Sequence, residues 1–360
     1  MYPPLPSPDS VPSPHSQPPA GQQARLLQTH TPELFANAVA EVVEALRKGE
    51  VVALPTETVY GLAANAWNPE AVRRIYEAKG RPAHNPIILH VVGKPMALEC
   101  VAQWADPAER LAAAFWPGPL TLVLPKSARV PEIVTAGGPT VGIRWPSHPF
   151  MQAVIQGCGF PLAAPSANRA NELSPTHADH VLRSLGDRIP LVVEGGQSQV
   201  GIESTVIDLS TPVARLLRPG MIHETALREL LAAPADDGSG NPAESSGPLR
   251  SPGQLPRHYA PRARLETWEW KGEADLAARL RRLQPGFRRI HLISHTRVPV
   301  GLGEAVHVSV IPHDPEAFAR ALYAELHRCD EEQADLVVVE AVPPGPEWAG
   351  IADRLRRASA

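Results

Sequence analysis

The sequence predicts an α/β or α+β domain with an anion-binding cavity, followed by a smaller Rossmann-like α/β domain. Two observations support this fold class. Short apolar runs alternate with amphipathic helical segments along most of the 360 residues, which is typical of sheets covered by helices. Small polar and cationic residues recur where the apolar runs end, and ligands of α/β sheets bind at such strand ends.

Composition divides the chain into five segments. Residues 1–28 are expected to be a disordered leader, because eight of the first twenty residues are proline and such a segment buries too little apolar surface to fold. Residues 29–232 form the larger domain, and residues 233–262 form a linker and lid segment. The smaller domain spans 263–345, and a tail with a short basic helix spans 346–360.

In the larger domain the clearest helix begins at Asn68 and ends at Gly80. Asn68 is a good N-cap, Pro69 suits the first helical position, and Gly80 can adopt the left-handed conformation that ends a helix. Apolar spacing predicts the other helices near 32–48, 95–103, 107–115, 148–156 and 223–232. Strands are predicted at 51–54, 86–92, 120–124, 140–144, 160–164, 191–194, 204–209 and 214–217.

The smaller domain shows the same alternation. Strands are predicted at 263–268, 289–293, 305–309 and 335–340, with helices at 273–283 and 314–327. Strands separated by helices favour parallel pairing.

Charge and cysteine content exclude several classes of protein. The net charge of −4 argues against broad nucleic-acid binding, which needs a basic face. Three cysteines without C-x-x-C spacing predict neither a disulfide framework nor a zinc site and favour the reducing cytoplasm. The 14 histidines show no ligand spacing, so no metal ligands are predicted. No apolar run reaches the roughly 18–20 residues that span a bilayer.

Lys79 and Arg81 are the strongest candidates for an anion site. Lys79 falls on the inward face of its helix with Val72, where a cation needs an anionic partner. A point charge and a planar fork together suit phosphate. The structural alternative is that Lys79 complements the helix C-terminus and Arg81 is solvated.

Polar residues at other strand ends extend this candidate cavity. Singly, each hydroxyl or amide also fits a turn or a cap. No nucleophile with a paired base and no phosphate-binding loop is present, so the set suits catalysis by positioning and charge neutralisation. Its members are Thr56, Thr58, Thr121, Thr140, Ser166, Asn168, Ser174 and Ser204, together with Arg144 and Arg218.

Several motifs made of these residues resemble the YrdC-type threonylcarbamoyl-AMP synthases. They are P-T-E-T-V-Y-G-L (55–62), K-G-R-P with N-P-I-I-L-H (79–90), W-P-G-P-L-T (116–121), A-P-S-A-N (164–168), S-P-T (174–176), E-S-T-V (203–206) and L-R-P-G (217–220). The S-P-G…R-H-Y-A-P segment and the C-terminal region resemble the long, two-domain branch. The resemblance covers about residues 30–345 and implies a twisted YrdC-like mixed sheet with a large, positively charged cavity.

The resemblance also implies an activity: a cytoplasmic nucleotidyltransferase that converts L-threonine, bicarbonate and ATP into threonylcarbamoyl-AMP and pyrophosphate. Mg²⁺ would accompany ATP. Other proteins would transfer the threonylcarbamoyl group to tRNA, with at most weak tRNA binding by this chain and no membrane association. By motif, Lys79 and Arg81 would be catalytic and would bind ATP with Asn85, Thr140, Ser166, Ser174 and Arg218. Threonine and bicarbonate would contact Thr56, His90, Thr121, Arg144, Ala164 and Ser204.

The lid carries the clearest departure from the family pattern. Arg257 and His258 would close over the cavity, but Gln254, Leu255 and Pro256 replace the usual Met, Lys and Tyr. Two other functions stay open. One is a non-catalytic YrdC-like module that binds nucleotide or RNA. The other is carbamoyl transfer through a carbamoyl-adenylate, whose enzymes carry additional zinc-finger and acylphosphatase-like parts.

Overall fold

The computed structural model describes residues 23–231, 259–283, 286–303 and 305–360. The larger domain is built on a ten-stranded mixed sheet in the order β1-β8-β2-β3-β7-β4-β6-β5-β9-β10. Its strands are β1 (Arg25–Leu27), β2 (Val52–Leu54), β3 (Gly61–Asn65), β4 (Leu89–His90), β5 (Leu120–Pro125), β6 (Thr140–Arg144), β7 (Leu162–Ala163), β8 (Leu191–Val193), β9 (Thr205–Asp208) and β10 (Arg215–Arg218).

Helices cover both faces of this sheet. They are α1 (Pro32–Arg47), α2 (Pro69–Lys79), α3 (Gly93–Cys100), α4 (Asp106–Phe115), α5 (Glu132–Thr135), α6 (Pro149–Cys158), α7 (Ala178–Leu185) and α8 (Glu224–Leu231). Alternation along β2 sends Val52 and Leu54 toward α1 and α6, and Ala53 toward the core that includes α2. Burial on both faces explains why the central strands are apolar throughout.

The predicted caps of α2 are confirmed. The Asn68 side chain accepts hydrogen bonds from the backbone N–H groups of Glu70 (3.0 Å) and Ala71 (3.3 Å). Gly80 closes the helix with φ +60°, a conformation that costs glycine little.

Several local predictions need correction. β1 lies inside the segment expected to be disordered and pairs in parallel with β8, so the ordered domain begins earlier than predicted. β3 was not predicted, because its Gly-Leu-Ala-Ala-Asn sequence has little β-branched character. Helices α5 and α7 were also not predicted. The strand expected at 86–92 is limited to β4. The N–H of Ile87 donates to the carbonyl of Val134 in α5 and not to a neighbouring strand.

The smaller domain has a four-stranded parallel sheet in the order β11-β14-β12-β13. Its elements are β11 (Arg264–Trp268), α9 (Glu273–Leu283), β12 (Ile290–Ser294), β13 (Val306–Val310), α10 (Pro315–Glu331), β14 (Leu336–Glu340) and α11 (Ala349–Ala358). Helix α9 covers one face, and α10 and α11 cover the other.

The helix predicted in the tail is α11, but it packs into a core and is not a peripheral segment. Ile351 and Leu355 are buried in the same apolar core as Val59, Leu173 and Ile202 of the larger domain. The two domains therefore share a core on this side. Within the described ranges, no helix is both long and apolar enough to cross a membrane.

Candidate active site

Many of the predicted site residues line one cavity between the strand ends of the large sheet. The cavity volume is about 50 Å³. Its wall includes nine of the predicted residues: Thr56, Thr58, Arg81, His90, Arg144, Ala164, Ser166, Ser204 and Arg218. A wider surface groove of about 510 Å³ beside β1 and α1 contains none of them.

A buried ion pair lies at one end of the cavity, with Arg144 in the wall and Glu57 outside the lining. Arg144, at the end of β6, places Nη2 2.7 Å from Glu57 Oε1, while its Nη1 donates to Thr58 Oγ1 (2.8 Å) and its Nε to the Gly118 carbonyl (3.3 Å). Burial alone would raise the pKa of the Glu57 carboxyl, but the charge and hydrogen bonding of Arg144 lower it. Charges of both signs are thus fixed at this end.

His90, at the end of β4, stands next to this pair as a neutral imidazole. Burial, with a smaller contribution from the Arg144 charge, lowers its pKa to about 3. Its Nδ1 is buried without a hydrogen-bond partner among the described residues. A buried unpaired nitrogen is costly, so His90 is well placed to bond a polar ligand.

The two residues of the predicted phosphate clamp, Lys79 and Arg81, both donate hydrogen bonds to backbone carbonyls. Lys79 Nζ donates to the carbonyls of Ser166 (2.5 Å) and Asn168. Arg81 donates from Nε to the Asn85 carbonyl (3.1 Å) and from Nη2 to the Pro86 carbonyl (2.8 Å). Burial, and secondly the positive charge of Arg81, hold the pKa of Lys79 well below its usual range. Burial lowers that of Arg81 to about 10. Only Arg81 reaches the cavity wall.

The opposite wall joins Ser204, Thr121 and Arg218. The hydroxyls of Ser204 and Thr121 lie 2.8 Å apart. Arg218, at the end of β10, donates from Nη2 to Ser204 Oγ (3.1 Å) and from Nε to the Ser204 carbonyl (3.0 Å). Thr121 therefore supports the wall through Ser204.

The remaining predicted residues lie behind or away from the wall. Asn85 contributes its carbonyl to Arg81, and Ser174 Oγ donates to Glu203 Oε1 (2.5 Å). Thr140 starts β6, whereas Arg144 at the cavity ends that strand. The lid residues Arg257 and His258 lie outside the described residues.

The cavity residues that sequence reasoning missed include Glu203 and Tyr259. Both lie inside the quoted motifs, E-S-T-V and R-H-Y-A-P, and that was the available signal. Tyr259 is 1% exposed, and its hydroxyl lies 3.4 Å from Arg218 Nη1. Burial raises the pKa of this phenol.

Glu203 connects the cavity to the smaller domain. Its Oε2 lies 2.7 Å from Nε of Arg354 in α11, and Tyr323 of α10 donates to the same oxygen (3.2 Å). Arg354 also donates to the Pro219 carbonyl (2.8 Å). Burial opposes ionisation, but Arg354 and then Arg218 lower the pKa of Glu203. The negative charge of Glu203 in the cavity wall is therefore stabilised by a residue of α11.

Comparison with known proteins agrees with this geometry. Residues 44–220 match the Sua5/YciO/YrdC family model, described as telomere recombination. Residues 222–360 match the model of the threonylcarbamoyl-AMP synthase C-terminal domain. The threonylcarbamoyl-AMP synthase of Bacillus subtilis is 39% identical over 334 residues, covering 91% of this chain and 95% of the relative. That of Pyrococcus abyssi is 38% identical over 323 residues, covering 87% and 92%.

A solved structure supports the whole architecture. The crystal structure of Pyrococcus abyssi Sua5 complexed with L-threonine superposes with a TM-score of 0.84 at 34% identity. The match covers 93% of this chain and 96% of that one, so both domains are shared. The chain belongs to the threonylcarbamoyl-AMP synthase family, in its two-domain branch.

Proposed function

We propose that this chain makes threonylcarbamoyl-AMP and pyrophosphate from L-threonine, bicarbonate and ATP, for the threonylcarbamoyladenosine modification of tRNA. One observation carries the proposal: Arg144, which is paired with Glu57, and neutral His90 line one cavity with Arg81 and Arg218. A zwitterionic amino acid fits the first group, and an anionic phosphate chain fits the two arginines. A mere nucleotide-binding module does not need both.

At the threonine end, Arg144 binds the substrate carboxylate. A guanidinium has five N–H donors, and the three contacts described above orient this one while leaving donors for the substrate. Glu57 stays ionised and balances the substrate ammonium. His90 and the Thr121–Ser204 hydroxyl pair hydrogen-bond the bicarbonate-derived carbamate, with Thr56 and Ala164 completing this end of the cavity.

At the phosphate end, Arg81 and Arg218 contact the triphosphate, and Lys79 reaches it by exchanging a backbone carbonyl for a phosphate oxygen. Ser166 lies in the same wall. Asn85, Ser174 and Thr140 complete the proposed ATP-binding set, the first two by supporting Arg81 and Glu203.

The chemistry proceeds in two steps. The threonine ammonium releases a proton to solvent, and the resulting amine adds to bicarbonate with loss of water, which gives a carbamate. A carbamate oxygen then attacks the α-phosphorus of ATP, and the bond to pyrophosphate breaks. Cations that are already oriented stabilise the charge that develops on the departing pyrophosphate without reorganisation at that moment.

Mg²⁺ is expected to arrive bound to ATP. The donor set of the cavity does not favour a protein-held ion, because Glu57 is paired with Arg144 and Glu203 with Arg354. Hard cations prefer carboxylate and other oxygen ligands. Phosphate oxygens and water therefore supply the shell of the ion.

The small cavity implies a closed form. Sites for ligands of this size usually measure about 300–1,000 Å³, against about 50 Å³ here. ATP entry therefore requires Tyr259 to move, together with the proposed lid that carries Arg257 and His258. Closure would shield a hydrolysable adenylate from water.

The product is expected to pass to proteins that transfer the threonylcarbamoyl group to tRNA. The net charge of −4 favours at most weak contact between this chain and tRNA. A cytoplasmic location is proposed because Cys100, Cys158 and Cys329 are free thiols, as is common in reducing compartments.

Pyrophosphate release tests the function. Purified protein with ATP and Mg²⁺ is given threonine and bicarbonate, separately and together. Release is expected only with both, and Arg81→Ala is expected to reduce the rate about 100-fold. Arg73→Ala is the matched control, because that side chain lies on α2 at 50% exposure.

Two outcomes would count against the proposal. Release that does not depend on threonine would indicate another reaction. ATP binding without release under any condition would favour the binding module.

A further inference from the structure

Three metal-ligand side chains meet at the edge of the smaller sheet, far from the active site in the sequence. The register of β12 and β13 sets His291 opposite His307, and their rings stack with centroids 4.9 Å apart and planes 4° from parallel. Glu332, which caps the C-terminus of α10, places Oε2 3.2 Å from His291 Nε2 and 3.8 Å from His307 Nδ1.

His291 lacks the partners that a buried imidazole normally has. Its side chain is 1% exposed, and neither ring nitrogen makes a hydrogen bond to the described residues. Glu332 is near, but not in a direction that completes a hydrogen bond. Leaving both nitrogens unpaired is costly, and a ligand between His291, His307 and Glu332 would remove that cost.

The separations fit a transition metal. Zn²⁺ binds imidazole nitrogen and carboxylate oxygen at about 2.0–2.2 Å, so tetrahedral ligand atoms lie roughly 3.3–3.5 Å apart. The three ligand atoms here are all within 4.8 Å of one another. His307 and Glu332 are 55% and 40% exposed. Their side chains can therefore rotate to bring their ligand atoms closer together, while the buried His291 stays fixed.

We propose that His291, His307 and Glu332 form a binding site for a divalent transition metal of the Zn²⁺ class. Two imidazoles and one carboxylate suit such an ion and not Mg²⁺ or Ca²⁺, which prefer oxygen ligands. Three protein ligands leave a coordination position for water. The ion joins the edge strand β13 to the central strand β12 and to the end of α10.

The surroundings are compatible with a cation. Arg328, whose positive charge reaches His291, is paired with Glu325 at 2.6 Å. Arg289 donates from Nη1 to the Glu332 carbonyl (2.7 Å), which fixes the backbone of the carboxylate ligand. Such supporting contacts orient metal ligands. Sequence spacing could not reveal this site, because its ligands come from three separate elements.

Metal titration of the untagged, chelator-treated full-length chain tests the site. We expect one Zn²⁺ per chain in competition with a chromophoric chelator, and Co²⁺ to give the visible absorption of low-coordinate nitrogen and oxygen ligation. His307→Ala should weaken Zn²⁺ binding at least about tenfold. His30→Ala, which removes an exposed histidine elsewhere, should leave binding unchanged.

Stability gives a second readout. Zn²⁺ should raise the Tm of the wild type and of His30→Ala, because a ligand bound only to the native state stabilises it. It should not raise the Tm of His307→Ala or Glu332→Gln, whose Tm in chelator should match the wild type. The proposal is overturned if wild type binds no Zn²⁺ in molar excess. It is equally overturned if both variants bind as tightly as wild type, which would assign the ion to other histidines.

Discussion

Replacing Arg354 with alanine should strongly destabilise the protein, although the residue lies outside the larger domain. Arg354 is 1% exposed and lies 2.7 Å from the buried Glu203 carboxylate. Its removal leaves that charge with the hydroxyls of Ser174 and Tyr323 as hydrogen-bond partners, and with the charge of Arg218 as the remaining cationic influence on its pKa. Leaving a buried charge unpaired costs about 3–5 kcal/mol, which is a large part of ordinary stability.

Urea unfolding of the full chain, followed by tryptophan fluorescence, measures this loss. Trp348 stands immediately before α11 and is buried, so it should report the event. Arg356→Ala is the control, because Arg356 lies on the same helix at 68% exposure, and exposed ion pairs contribute about 0–1 kcal/mol.

The loss of unfolding free energy in Arg354→Ala should depend on pH. In the wild type the pKa of Glu203 is lowered below 4.5, so its stabilising effect is present above that pH and lost as pH falls. Without Arg354, that pKa should rise, because the largest contribution that lowers it is lost while burial remains. The stability deficit of Arg354→Ala should therefore be largest near neutral pH and narrow toward pH 4.5.

A double variant completes the experiment. Glu203→Gln combined with Arg354→Met removes both charges and should recover most of the loss, since the penalty comes from one unpaired charge. The reasoning is refuted if Arg354→Ala unfolds like Arg356→Ala, or if the double variant is no more stable than Arg354→Ala.

Two further predictions concern the contact between the domains. Gly201→Ala should cost about 1–3 kcal/mol more than Gly159→Ala in urea unfolding. Both glycines have positive φ, but only at Gly201 does a new Cβ come within 2.4 Å of the Ala319 carbonyl of α10; equal losses would contradict this. Burial lowers the pKa of His180 to about 2 and of the stacked His327 to about 4. Their neutral forms stabilise the fold fully above pH 6.5 and lose this effect as pH falls. His180→Gln should therefore reduce the pH slope of the unfolding free energy below that pH by about 1.4 kcal/mol per unit, and an unchanged slope would refute the assignment.

Features that depend on local chemistry were predictable from the sequence. The ends of α2 followed from Asn68 and Gly80, whose roles need only neighbouring backbone groups. The cavity followed from polar side chains at strand ends, because strands of one sheet bring their ends together. Arg144 and Ser204 were found in this way.

Features that depend on distant partners were not predictable. The role of Glu203 depends on Arg354, and nothing in either residue's neighbourhood identifies the other. The orientation of Lys79 is another case, because the carbonyls that bind it belong to a loop that the sheet brings next to α2. The weak strand β3 forms because its neighbours provide hydrogen bonds, although its own residues favour strands poorly.

The apolar core shared by the two domains limits how the chain can be divided or recombined. Val59, Leu173 and Ile202 belong to the larger domain, yet their burial is completed by α10 and α11. A fragment that ends in the linker would expose these side chains to water as a hydrophobic patch, and such patches favour self-association. Exchange of domains between relatives should succeed only when both sides of this core are exchanged together.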